Sequence, residues 1–253
     1  MIGVFDSGSG GLTVLSAIRA LAPTADVIYF GDLQRAPYGN RSAEEISMFT
    51  ADAVRILRDA GATDIVSACN SVSVTVARSL FQSLGVTSAQ LVEMVQPTSA
   101  QFKDTGAYVL VLATRATIRS GAYAHALSAH GVRSHGHALP DLVGLIEAGS
   151  DASVLYASIR SSLESFSGED FTHVLLGCTH FPLIAHVFTQ VLRDLSLQAS
   201  LVDPASAVAE EVVSKFDTTG TGSVRFLVSA PSERFAELAA QVVPTPHITV
   251  ATL

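Results

Sequence analysis

The sequence predicts an α/β protein of two similar, pseudo-symmetric α/β domains. Each is built on a mainly parallel sheet, and a cleft between them would hold the active site. Three observations lead there. Short apolar runs alternate with amphipathic stretches of helical length. The segments TDIVSACNS (63–71) and THVLLGCTH (172–180) align without a gap, each placing a cysteine just after a strand-like run. The interval from Asp6, at the end of the first apolar run, to Cys69 matches that from Thr114 to Cys178 to within one residue. The chain therefore reads as a duplication. The expected division is residues 1–95 plus 206–253 as the first domain, carrying Cys69, and 96–205 as the second, carrying Cys178.

In order along the chain, IGVF and DVIYF read as strands. The glycine cluster after Asp6 suits a tight strand-to-helix turn in which Asp6 caps the helix. SAEEISMFTADAVRILRDAG reads as a helix: Ser42 and Glu45 form a capping box, Ile46, Phe49, Ala53, Ile56 and Leu57 share a face, and Gly61 supplies the stop. TDIVSA, YVLVLA and THVLLG read as further strands, with Asp64 and His173 at the ends away from the cysteines. Asn70 and Ser71 suit the cap of a helix beginning near Ser73. SFSGED and TTGTGS read as surface loops. So does SHGHA, with His135 and His137. Strands alternating with helices imply parallel sheets covered on both faces.

Of the 253 residues 48% are apolar and 15% charged, the balance of a folded globular protein. The net charge is -8 and the lysines are Lys103 and Lys215, which argues against a nucleic-acid or anionic-membrane surface. No apolar run approaches the roughly 20 residues that span a bilayer. MIGVFDSGSG has no basic stretch ahead of an apolar core, so no signal peptide is expected. The expected location is the cytoplasm, where cysteines stay reduced and a disulfide is disfavoured.

In open parallel sheets ligands bind beyond the carboxyl ends of the strands. Two such halves facing each other would put Cys69 and Cys178 on opposite walls of one cleft. A buried free cysteine is common in cores, and a metal on Cys178 and His180 is conceivable, although their spacing lacks the usual ligand pattern. A lone nucleophile needs one cysteine. The glycines after Asp6 lack the Gly-Lys-Ser/Thr ending of a phosphate loop. Matched positions in both halves favour two-sided chemistry, in which one thiolate takes a proton from one face of a carbon and a thiol returns one to the other. A thiol pKa of about 8.5, readily moved by its neighbours, suits both roles.

Six blocks in order, FDSGSGGLTV, YFGDLQRAPYG, ACNSVS, TIRSGAY, LLGCTHFPL and LVDPASAVA, carry a resemblance over most of the chain. They resemble the cofactor-independent glutamate racemases of the Asp/Glu racemase superfamily. The resemblance implies Cys69 and Cys178 as the acid/base pair, the first serving the D-enantiomer and the second the L-enantiomer. It places Asp6 and Ser7 near the substrate amino group, and Tyr38 and Gly39 at its side-chain carboxylate. Asn70, Ser71, Thr179 and His180 would supply donors. His180 would assist Cys178, with Glu147 as an acidic support. Thr114, Thr117 and Ser120 fall in a block forming the far wall. It also implies glutamate as substrate, D-glutamate for peptidoglycan as product, no pyridoxal phosphate or metal, and a homodimer. The chain departs from the pattern at Ser9, Ser71, Val72, Thr98, Ala113 and Phe181, which leaves side-chain specificity more open than reaction type. Racemisation of aspartate or another acidic amino acid, a one-cysteine decarboxylase and a silent binding or regulatory homologue are the competing readings.

Overall fold

Apolar runs with no polar residue at alternate positions bury both faces, and these runs become the central strands. The computed structural model describes residues 1–76, 78–243 and 247–251. Among them are ten strands: β1 (Ile2–Asp6), β2 (Val27–Gly31), β3 (Asp64–Ser67), β4 (Leu91–Glu93), β5 (Tyr108–Ala113), β6 (Arg133–Ala138), β7 (His173–Gly177), β8 (Ser200–Val202), β9 (Val224–Val228) and β10 (His247–Val250). They form a six-stranded sheet, β10-β9-β2-β1-β3-β4, and a four-stranded sheet, β6-β5-β7-β8. Every strand pair is parallel.

The blocks β2-β1-β3-β4 and β6-β5-β7-β8 have the same relative order, so β1 corresponds to β5 and β3 to β7. Registers agree as well: Phe5 lies beside Ser67, and Ala113 beside Gly177. The repeat visible in the sequence is a repeat of topology. β9 and β10 extend the first sheet beyond β2.

Successive side chains of a strand point to opposite faces, and each face has its own core. Val4 packs with Leu15, Ile18 and Val208, whereas Phe5 packs with Phe49, Val54 and Leu57. In the second sheet Leu110 and Leu112 meet Ile146, Ile159 and Phe188, while Val109 and Val111 meet Phe102, Tyr123 and Leu127. Each such side chain is worth about 1.5–3 kcal/mol on burial. The strand ends that carry the site are therefore anchored from both sides.

Helix Ala43–Asp59 forms as its pattern requires. Ser42 Oγ accepts the Glu45 N–H, the Glu45 carboxylate accepts the Ser42 N–H, and Gly61 follows the helix at φ 102°. Three local readings are corrected. SHGHA lies in β6, an edge strand paired with β5 and largely solvent-facing, so no apolar run was needed to form it. The helix after Cys69 is Asn70–Thr75, with Cys69 itself at the N-cap; Ser73 Oγ bonds back to the Ser67 and Cys69 carbonyls. Asp6 does not cap helix Leu12–Leu21, whose N-cap is Gly11. The TTGTGS loop is fastened by Asp26, which accepts bonds from Ser223 and Thr221. Those bonds, Ser223 foremost, hold the Asp26 carboxyl well below the usual range. Among the described residues, no helix is long and apolar enough to cross a membrane.

Candidate active site

The site is assembled from the turns that leave β1, β3, β5 and β7 at their carboxyl ends. After β1 the chain turns through Ser7–Gly11. Asp6, fully buried, fixes this turn by accepting the Gly8 N–H on Oδ1 at 2.8 Å. Its other oxygen accepts the Thr179 hydroxyl at 3.1 Å, joining the first half to the second. Gly10 is required by close approach. A Cβ there would stand 2.5 Å from Thr179 Oγ1 and 2.6 Å from His180 Nδ1.

After β3, the Cys69 thiol donates to Ser7 Oγ at 3.6 Å. Burial first, and then the Asp6 carboxylate, push this thiol up to about 12, against bonds from Val72 and Ser7 that favour the thiolate. Cys69 therefore rests as a protonated thiol. Asn70 Oδ1 accepts the Tyr123 hydroxyl at 2.6 Å, and Asn70 Nδ2 is buried with no hydrogen-bond partner among the described residues. Buried polar groups are rarely left unpaired, and Asn70 lines the cavity described below. Ser71 Oγ and Thr114 Oγ1 meet across the halves at 3.2 Å.

After β7, Cys178 Sγ lies 4.0 Å from His180 Nδ1, and His180 Nε2 donates to Glu147 Oε1 at 2.6 Å. Burial opposes a charge on His180, yet the bonds to Cys178 and Glu147, with the field of Asp6, raise it well above the ordinary imidazole value. Burial likewise opposes the Glu147 anion. The His180 bond and charge and the Ser9 hydroxyl overcome it and hold the carboxyl at about 2. The result is an imidazolium clamped between a sulfur and a carboxylate.

Cys69 and Cys178 line one cavity of about 20 Å³. A water needs roughly 10–15 Å³, so the cavity admits little more than one. Ser7, Tyr38, Gly39, Asn70, Ser71, Thr114, Thr179 and His180 share its wall, together with Pro37 and Val143. Tyr38 directs its hydroxyl to Asp32, at 2.5 Å. Arg35 Nε and Ser229 Oγ also bond Asp32, at 2.6 and 2.7 Å, so the loop before Gly39 is pinned from behind. Gly39 packs against Thr114 so closely that a Cβ would stand 2.7 Å from the threonine Cβ.

Four of the expected residues stand back from this wall. Asp6 sits behind it and bonds to Thr179. Thr117 supports Thr114, hydroxyl to hydroxyl at 3.1 Å, and Ser120 in turn bonds the Thr117 carbonyl. Glu147 opens instead onto an adjoining cleft of about 310 Å³, which it shares with His180, Leu33, Pro37 and Pro231. Sequence reasoning gave no site role to Ser9, Asp32, Arg35 or Tyr123. Ser9 donates to Glu147 at 2.7 Å from 138 residues away, a distance that no local pattern announces. Tyr123 was within reach, since it closes the TIRSGAY block. Among the described residues, no three His, Cys, Asp or Glu side chains are grouped to hold a metal ion.

Two sulfurs line one small cavity, and each has polar partners of its own. The chain belongs to the Asp/Glu/Hydantoin racemase family, whose pattern matches residues 7–212. It is 33% identical over 261 residues to glutamate racemase 1 of Caldanaerobacter subterraneus subsp. tengcongensis, covering 98% of this chain and 94% of that protein. The glutamate racemase of Aquifex aeolicus is also 33% identical, covering 94% of this chain and 91% of its own. A crystal structure of the Francisella tularensis glutamate racemase in complex with D-glutamate aligns with a TM-score of 0.87 at 28% identity, over 99% of this chain and 97% of that one.

Proposed function

We propose that this enzyme interconverts L- and D-glutamate by proton transfer between Cys69 and Cys178. The observation that carries the reading is the shared cavity: equivalent strands of two equivalent sheets deliver one sulfur each to the same small space. In the L-to-D direction Cys178, with the His180 cation as counter-charge to its thiolate, removes the α-proton. The Cys69 thiol protonates the carbanion from the other face, so the proton count balances and the thiolate has changed sides. In the reverse direction Cys69 is the base. Asn70 Nδ2 and the Ser71 and Thr114 hydroxyls serve as donors to the substrate carboxylates, joined by the Thr179 hydroxyl once the parting walls release it from Asp6, whose carboxylate then supplies the counter-charge to the ammonium.

The cavity is far smaller than an amino acid, so binding requires the walls to part. We take residues 1–95 with 206–253 as one moving unit and 96–205 as the other. Glutamate is the substrate favoured by the named relatives, and D-glutamate for peptidoglycan the physiological product. A homodimer working in the cytoplasm without pyridoxal phosphate or metal completes the reading.

The test is incubation of L-glutamate in heavy water, following Cα deuterium and optical activity together. Exchange should accompany loss of rotation, and both should collapse in Cys69→Ala and in Cys178→Ala. Full activity in either variant rules out the two-thiol mechanism.

A further inference from the structure

Glu147 is held from both sides of the cleft. Within its own half, at the end of helix Leu142–Glu147, its Oε1 accepts His180 Nε2 at 2.6 Å. From the other half the same oxygen accepts the Ser9 hydroxyl at 2.7 Å and faces the Ser9 N–H at 3.4 Å. Ser9 is 1% exposed, and the turn backbone lies flat against the carboxylate: a Cβ on Gly8 would stand 3.2 Å from Oε1. A bond to a charged, part-buried acceptor is among the stronger hydrogen bonds in proteins.

We infer that Ser9 is a positioning residue for the second thiol, orienting Glu147 and through it the imidazole that faces Cys178. The inference rests on the two-thiol reading and adds a condition to it. Ser9 belongs to the turn after β1 and Glu147 to the half built on the second sheet, so the Ser9 bond exists only with the walls together. His180 is thus aimed fully at Cys178 only once the cleft has closed. Cys69 does not share this device, because its sulfur is bonded by Ser7 and flanked by Asp6.

The test uses Ser9→Ala and Ser9→Thr, which respectively remove and keep the hydroxyl. Glutamate and its mirror image have an equilibrium constant of one, so kcat/KM must fall equally in both directions and cannot reveal which thiol is affected. Isotope effects can. With Cα-deuterated L-glutamate the labelled step is transfer to Cys178; with the D-enantiomer it is transfer to Cys69. Ser9→Ala should lower kcat about tenfold with KM changed less than about twofold. It should raise the isotope effect on L-glutamate and depress that on D-glutamate, and Ser9→Thr should restore both. A downfield imidazole proton resonance from His180 should shift in Ser9→Ala without substrate present. Equal losses in the Ala and Thr variants, isotope effects that move together, or an unmoved His180 resonance would each overturn the inference. A wild-type protein inactive on glutamate would refute the reaction instead, and the His180 resonance would still decide whether Ser9 holds Glu147.

Discussion

Tyr123→Phe deletes one oxygen and leaves the ring in place. Tyr123 is 3% exposed and its hydroxyl donates to Asn70 Oδ1 at 2.6 Å, with Asn70 itself 2% exposed. Removing the donor strands a buried carbonyl oxygen, which costs about 1–3 kcal/mol. In a chain of this size each kcal/mol lowers Tm by about 2–4 °C, so the melting point should fall by roughly 2–12 °C. The same bond fixes the amide plane, and with it the direction of Asn70 Nδ2. On the proposed reaction that N–H holds a substrate carboxylate alike in ground and transition states, so its misdirection should raise KM by about tenfold with kcat little changed. Thermal melts and polarimetric kinetics in both directions measure the two effects. A lowered Tm with KM unmoved would refute the claim that Tyr123 aims the amide, and an unchanged Tm would refute the buried bond itself.

Gly10→Ala should abolish turnover by at least about a hundredfold while costing only about 1–3 kcal/mol of stability, since the new methyl would displace Thr179 and His180 rather than a core strand. It is checked by assay beside a denaturant melt, and near-normal activity would contradict the packing. The Glu147–His180 pair should also mark the pH dependence of stability. Glu147 is held at about 2 against an ordinary 4.5, so its contribution is present above pH 4.5 and lost as pH falls through 2. His180 is raised, so its contribution is full below its ordinary 6.5 and fades as pH rises through the folded value. The Tm gap between wild type and Glu147→Gln should therefore be widest between about pH 4.5 and 6.5 and shrink toward pH 2. A gap independent of pH would refute the pairing.

The central strands were legible because burial on both faces leaves a signature no loop shares: IGVF, YVLVLA and HVLLG are apolar without alternation. β4 and β8, at three residues each, are too short to carry such a pattern. β6 is an edge strand that needs only one neighbour, so its histidines looked like a loop. Of the candidate site, the residues adjoining the strand ends were readable, because strand direction fixes where the turns lie. Bonds across the cleft were not, since Ser9 and Glu147, or Asn70 and Tyr123, become neighbours only after two sheets pack. The resemblance puts Tyr38 at the substrate's side-chain carboxylate, yet nothing in the sequence announces the bond from its hydroxyl to Asp32.

The tight space between the sulfurs has a practical corollary for inhibitor design. A molecule shaped to fill it as it stands would be no bigger than solvent, so screening against the shut form would discard every useful scaffold. The roomier hollow beside Glu147 is already open to a visitor. On the proposed reaction, a compound seated there and wedged toward Val143, which borders both spaces, would keep the walls from meeting and so stop turnover of both enantiomers.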